Sequence, residues 1–195
     1  MVVENAGVSM RCSFKDYAFK NHIQLFDVNV HGPYNHIQCF VEHMMKHQSG
    51  QIVGISSVAG RLSTAYRSSY GGSKHALIGI MDSLRTELYQ HGITVTNVMP
   101  GYVRTNISKN AFGAGEGEKF NVTDKNIEKG LDPEVFAKEA VQAIYLKENE
   151  LQISASWLPP IGILMRGLLP DLAFIGLRLN GKSQMKALDE GKKHD

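Results

Sequence analysis

Hydrophobic residues recur along this chain in two alternating rhythms. Short β-rich runs fall at residues 51–56 and 93–99, and a helical pattern spans 73–90 between them. Ahead of the first strand, Ile37, Phe40, Val41, Met44 and Met45 repeat at helical spacing across residues 33–47, starting at Pro33 and ending before Ser49-Gly50. Asp132-Pro133-Glu134 reads as a helix start, with Asp132 as N-cap and Pro133 at the first position. Val135, Phe136, Ala140, Val141 and Ile144 supply that helix's buried stripe, and residues 151–154 read as a last strand. Strands alternating with helices predict a parallel α/β sheet built from βαβ crossovers.

Elsewhere the pattern breaks. Residues 105–129 are polar and glycine-rich, a connection of the length used for active-site lids or loops without fixed structure. Gly113-Ala114-Gly115-Glu116-Gly117 lies within it, with no strand before it and an acid inside it, and reads as a flexible lid and not a phosphate cradle. Residues 157–179 are apolar, but Pro159, Pro160, Arg166, Pro170 and Asp171 interrupt them, short of the roughly 20 apolar residues of a spanning helix. This stretch is expected to pack over a substrate mouth or to form a short helix pair, with peripheral membrane contact as the second choice. Residues 1–156 are therefore taken as the catalytic part, and 157–195 as an apolar segment followed by a charged tail.

Composition narrows the function. A chain of 195 residues, 43% hydrophobic, can bury one core, and its net charge of +2 is spread, so no nucleic-acid footprint stands out. Cys12 and Cys39 form neither a CxxC motif nor a disulfide framework, which fits a reducing compartment. Met1-Val2-Val3-Glu4 lacks the basic and apolar regions of a signal peptide. His43 and His47 have a metal-ligand spacing without a third ligand, so no metal is predicted. The sequons Asn106-Ile107-Ser108 and Asn121-Val122-Thr123 matter only in a secretory lumen.

Tyr70 and Lys74 carry the chemistry. Four residues apart in a helical run, they project from one face, one turn from each other. A nearby ammonium favours the phenolate and makes a tyrosine usable as an acid and base near neutral pH. Ser57 ends a β-rich run, and α/β sheets bind ligands at the carboxyl ends of their strands.

The segment Gly50-Gln51-Ile52-Val53-Gly54-Ile55-Ser56-Ser57, followed by Tyr70-Gly71-Gly72-Ser73-Lys74, resembles the active-site segment of the short-chain dehydrogenase/reductase family, and the likeness covers nearly the whole chain. The resemblance implies a Rossmann-like doubly wound parallel sheet and an NAD(P)-dependent oxidoreductase that interconverts a carbonyl and an alcohol. It implies a catalytic tetrad of Asn29, Ser57, Tyr70 and Lys74. Ser57 would bond the substrate oxygen, Tyr70 would give and take the proton, Lys74 would also hold the nicotinamide ribose, and Asn29 would position a relay water. Pro100-Gly101-Tyr102-Val103-Arg104-Thr105 resembles the family's Pro-Gly motif, implying that the Val103 backbone and Thr105 hydroxyl meet the nicotinamide carboxamide. Pro100 and Gly101 would turn the chain close to the flat ring. Asn5-Ala6-Gly7 resembles the end of the family's Asn-Asn-Ala-Gly motif beneath the adenosine ribose; Glu4 stands where the first asparagine would be, and there its carboxylate would face the central strands and the dinucleotide.

The family opens with a strand and a glycine-rich phosphate turn that this sequence lacks. The sheet is therefore expected without its first three strands, the fourth left as a bare hydrophobic edge. The chain reads as N-terminally truncated and as a poor binder of the cofactor by itself. NADP is favoured slightly over NAD, although the residues that decide between them belong to the absent strands. Within the family the likeness is to the membrane-associated dehydrogenase/reductase group numbered seven, which implies a lipophilic small-molecule substrate such as a steroid, retinoid or related lipid. The ending Lys192-Lys193-His194-Asp195 resembles a dilysine retrieval signal, implying association with the endoplasmic reticulum membrane, or otherwise a cytoplasmic location. The alternative is a catalytically inactive module that joins a homo-oligomer or docks onto full-length subunits through helices 33–47 and 73–90, which form the subunit interface in the family.

Overall fold

Apolar side chains alternate to both sides of the central strands, so helices must cover both faces of the sheet. The computed structural model describes residues 1–122 and 124–191; Thr123 of the second sequon and the Lys192-Lys193 pair lie outside them. In chain order the elements are β1 (Val2–Glu4), α1 (Phe19–Phe26), α2 (Gly32–Lys46), β2 (Gly50–Ile55), α3 (Ser68–Leu88), β3 (Ile93–Pro100), α4 (Lys125–Glu128), α5 (Pro133–Tyr145), β4 (Glu150–Ile153), α6 (Leu158–Leu168) and α7 (Pro170–Gly191).

The four strands pair in sequence order, every pair parallel, with Ile52 beside Val2 and Val95 in register. Ile52 and Val53 are both fully buried although they point to opposite faces. On one face Ile37 and Met44 of α2 and Leu77 and Met81 of α3 pack over Val2, Ile52, Ile93 and Val95. On the other, Phe136, Ala140 and Ile144 of α5 cover Val53 and Val98. The result is a partial doubly wound sheet in three layers, with β1 at one margin and its Val3 41% exposed.

Two helices begin earlier than their apolar spacing predicts. Pro33 stands in the first turn of α2, one residue after its start, and α1 runs into α2 through a widened turn at Asp27–His31, where the Gly32 amide donates to the Asp27 carbonyl five residues back. Pro33 has no amide proton for the carbonyl of Asn29, four residues earlier, so a regular ladder cannot pass this point. The helix bulges there, and Asn29 sits in the bulge. The helix expected from residue 73 starts at Ser68, placing Tyr70 and Lys74 in its first two turns.

Glu4 does not face a dinucleotide. Strand alternation turns it to the same face as Val2, where it is 7% exposed and meets Nδ1 of His36 on α2 at 2.6 Å. The glycine cluster is not a lid either. Phe112 bridges to Met10 on one side and Lys119 on the other, and the Gly113 amide donates to the Glu118 carbonyl at 2.9 Å, closing a hairpin. Asn21 of α1, fully buried, holds that hairpin by donating to the Gly115 carbonyl at 2.7 Å and accepting from the Gly117 amide at 2.9 Å. Lys20 adds an ion pair to Glu116. The Glu118 carboxylate already takes the Gly115 amide at 2.6 Å, the kind of donor a phosphate would need.

The apolar stretch after β4 forms the expected helix pair, α6 against α7. Among the described residues, no helix is long and apolar enough to cross a membrane.

Removing the Asn21 carboxamide strands a carbonyl and an amide in a part-buried place. Asn21→Ala should cost about 1–3 kcal/mol in urea unfolding. Hydrogen exchange should quicken at the amides of residues 113–118 while those of β2 and β3 keep their protection; equal loss of protection in the strands would show that Asn21 supports the whole fold and not the hairpin.

Candidate active site

Ser57 follows directly on β2. Its backbone is extended, and its Oγ accepts from the Ala59 amide at 3.1 Å, capping a tight turn at Val58–Gly60. The same hydroxyl donates to the Pro100 carbonyl only at 3.4 Å, a long bond that leaves its proton readily shared. This turn lies hard against α3. A Cβ on Gly60 would fall 2.7 Å from the Lys74 carbonyl, and one on Gly71 would fall 2.1 Å from the Ser63 hydroxyl, so glycine at both positions sets how closely serine approaches the tyrosine helix. Ser56 Oγ donates to the Lys74 carbonyl at 3.0 Å across the same seam.

Tyr70 is placed by its ring, which packs in a small core with Met10, Leu25, Ala59 and Phe112 and is 7% exposed. Lys74 is 4% exposed and donates to the Ile55 carbonyl at 2.9 Å. Burial alone pushes its ammonium down to about 8. Three protons are available on that nitrogen, and among the described residues only the Ile55 carbonyl takes one. Gly7 passes beside it: a Cβ there would lie 3.4 Å from Lys74 Nζ and 3.5 Å from Asn29 Oδ1.

Asn29 is fully buried. Its Oδ1 accepts from the Val8 amide at 2.8 Å, and its Nδ2 donates to the Val8 carbonyl and the Ser73 hydroxyl, each at 2.9 Å. Ser73 in turn donates to the Tyr70 carbonyl at 2.8 Å.

Ser57, Tyr70 and Lys74 share the wall of one cavity of about 670 Å³, together with Asn5, Gly7, Pro100, Gly101, Val103 and Thr105. Asn29 and Ala6 do not reach that wall. Asn29 sits behind it because its carboxamide is engaged on both sides; Ala6 is exposed to solvent. The segment after Pro100 is shaped by a bridge between Val103 and Leu131, in which the Arg104 amide donates to the Leu131 carbonyl and the Leu131 amide to the Tyr102 carbonyl. This pairing leaves the amide and carbonyl of Val103 itself uncommitted. Thr105 Oγ1 accepts from the Ile107 amide at 3.4 Å, which spares its proton.

Sequence patterns missed a second group on this wall. Arg11 and Arg67 both line the cavity, and both reach one oxygen of Asp124, at 3.1 and 2.9 Å. Burial, then the charge of Arg67, lowers Arg11 to about 10, with Asp124 opposing the shift. Separations of 56 and 57 residues leave no spacing by which such a cluster could be found. His43 and His47 set their rings 4.2 Å apart, tilted by 35°.

Comparison with known proteins bears on the whole arrangement. The sequence pattern of the family described as short chain dehydrogenase matches residues 1–114. The chain is 34% identical over 189 residues to a dehydrogenase/reductase SDR family member 7B of Xenopus tropicalis, covering 97% of this chain and 60% of that protein. It is 33% identical over 174 residues to a dehydrogenase/reductase SDR family protein 7-like of Drosophila melanogaster, covering 89% and 53%. Among solved structures, a short-chain dehydrogenase from Streptomyces avermitilis superposes with a TM-score of 0.69 at 26% identity, covering 98% of this chain and 71% of that one. A short chain dehydrogenase/reductase from Burkholderia phymatum in complex with NAD shares the fold, with a TM-score of 0.73 at 20% identity over 88% of this chain and 66% of that one. The chain thus spans 53–60% of the length of these curated relatives.

The unfolded chain keeps the Lys74 proton up to the ordinary value of 10.5, whereas the folded chain releases it near 8. Between those pH values the unfolded state binds more protons, so this group makes native stability rise with pH across the window. Lys74→Met should therefore be more stable than the native chain at pH 7 in urea unfolding, with an advantage that shrinks from pH 8 to 10.5. A pH-independent difference would mean that the buried amine does not titrate there.

Proposed function

The chain belongs to the short chain dehydrogenase family, and from that premise we propose that it is an NAD(P)-dependent oxidoreductase interconverting a carbonyl and an alcohol on a lipophilic substrate, with NADP ahead of NAD. The observation that carries the reading is the buried ammonium of Lys74 on the same cavity wall as the Tyr70 phenol and the Ser57 hydroxyl. Tyr70 gives a proton to a forming alkoxide and recovers it in the reverse direction, with the Lys74 ammonium on the same wall. Ser57 donates to the substrate oxygen, exchanging its long bond to Pro100 for a better acceptor. Asn29 is a positioning residue: its carboxamide fixes α3 through Ser73, and from the bulge it would position the water that passes the proton on.

The wall fits the nicotinamide half of the cofactor, since Lys74 has donors to spare beside Gly7 and the Val103 amide and carbonyl are left out of the bridge with Leu131. When bound, the cofactor supplies the hydride; Lys74 would hold its ribose, and Val103 and Thr105 its carboxamide. Apolar lining from Leu62, Ile127, Phe136, Leu158 and Leu177 supports a lipophilic substrate. We also place the chain at a membrane surface, the endoplasmic reticulum being the location its likeness suggests: α6 and α7 leave Trp157, Leu164, Leu168 and Leu179 more than 60% exposed, with Arg166 and Arg178 exposed on the same pair.

Titration of the folded chain with NADH and NADPH, followed by nicotinamide fluorescence, should saturate, and the chain should reduce lipophilic ketones. Tyr70→Phe should leave cofactor binding intact and lower turnover by about 10²–10⁴-fold, the usual worth of a positioned acid or base. No saturable binding of either nucleotide to a folded sample would sink the proposal. Flotation with phosphatidylcholine–phosphatidylserine vesicles tests the location: the native chain should float, Leu168→Asp should float less, and a native chain left in the dense fraction would overturn it.

A further inference from the structure

The cavity wall is one-sided in charge. Arg11, Arg67, Lys74 and Lys129 line it, and among the described residues no aspartate or glutamate does. Lys129 is exposed, so solvent screens it. Arg11 and Arg67 are different: their side chains are 7% and 12% exposed, and the single carboxylate between them, Asp124, does not reach the wall. Two guanidiniums set against one carboxylate leave about one unit of positive charge facing a mostly apolar space, where an opposite charge is attracted far more strongly than in water.

The two arginines are held and yet not used up. Arg11 donates to the Ser9 hydroxyl and the Met10 carbonyl as well as to Asp124. Arg67 donates through NH2 to Asp124 and to the Tyr102 hydroxyl, with its guanidinium 5.2 Å from the centre of the Tyr102 ring. Its Nε and NH1 groups take part in no hydrogen bond among the described residues. A fork with fixed orientation and free donors on a cavity wall matches the paired oxygens of a carboxylate.

We propose that Arg67, backed by Arg11 and Asp124, binds a carboxylate carried by the substrate, so that the molecule reduced or oxidised here is an acid with an apolar body. The carboxylate lies against the Arg67 fork, and the body runs along Ile127, Phe136, Leu158 and Leu177. This deepens the oxidoreductase reading and rests on it only for the use of the same cavity. Asp124 also caps α4 by accepting from the Asn126 amide at 2.8 Å, so a purely structural role, clasping residues 105–131 to the site, is the competing account.

Calorimetric titration of the full chain without cofactor separates the two, with decanoate, methyl decanoate and decyl phosphate as probes. Decanoate should bind at least ~10-fold more tightly than its methyl ester, the scale of one or two charge-assisted hydrogen bonds. Arg67→Gln leaves Arg11 paired with Asp124 and should erase that preference. Asp124→Asn increases the positive charge and should keep the preference or enlarge it. A clasp predicts otherwise: both variants unfold more easily and neither changes how acid and ester compare. The proposal falls if native chain does not bind decanoate saturably, binds the ester as well, or keeps its preference in Arg67→Gln. Tighter binding of decyl phosphate than of decanoate overturns the choice of carboxylate. A chain that selects decanoate and yet turns over no ketone sinks the oxidoreductase reading alone; one that reduces ketones with no preference for the acid sinks only this one.

Discussion

The carboxamide of Asn29 holds the site in register. With no solvent exposure, it binds the Val8 backbone in both directions and reaches the Ser73 hydroxyl. Three stretches remote in sequence meet there: the loop after β1, the bulge between α1 and α2, and the first turns of α3. Ser73 extends the tie to the Tyr70 carbonyl. A buried polar group without a partner costs about 1–3 kcal/mol, and loss of this one side chain would strand the Val8 amide and carbonyl together. The bulge presents Asn29 at this junction, and the bulge exists because Pro33 cannot donate to the carbonyl four residues before it. A missing proton on one residue thus decides where the loop that carries Gly7 crosses the tyrosine helix.

Much of this was legible in the sequence, for identifiable reasons. The strands read correctly to within a residue or two because β2 and β3 are buried on both faces and so appear as apolar runs. Tyr70 and Lys74 were legible as a pair because helical spacing is local. The helix read from Pro33 begins one residue earlier, with proline in its first turn, and what the pattern did not reveal is that α1 runs into it through the bulge. The glycine cluster was misread as a lid because its partner, Asn21, lies 94 residues from Gly115, and glycine content says nothing about what will pin a turn. Arg11, Arg67 and Asp124 were invisible for the same reason. Contacts between distant polar residues follow from the completed fold, whereas periodicity reports only which face of an element is buried.

Parallel winding explains why these groups converge. Every strand points the same way, so the carboxyl ends of β2 and β3 lie side by side and deliver Ser57 and the Pro100-Gly101 turn to one rim. Ligands of doubly wound sheets bind at that rim because helix packing leaves it open. Here β4 adds Ser154 and Ala155, after which α6 and α7 return over the opening with Leu158 and Leu177. The cavity therefore has a polar floor made by strand ends, the loop after β1 and the start of α3, and an apolar roof made by the last helices. Such a division suits a ligand with one reactive polar end and a hydrocarbon body.

Charge makes the floor costly to build. Lys74 is buried beside a single carbonyl, and Arg11 and Arg67 crowd each other across one carboxylate, with the lowered proton affinities of Lys74 and Arg11 as the direct expression of that cost. Buried charges are normally matched, since desolvation is repaid only by a partner close at hand. An anionic ligand would supply the missing match for the arginines. Lys74 keeps spare protons on the wall it shares with Ser57 and Tyr70. The same imbalance thus favours a negatively charged guest at the arginine end of the cavity.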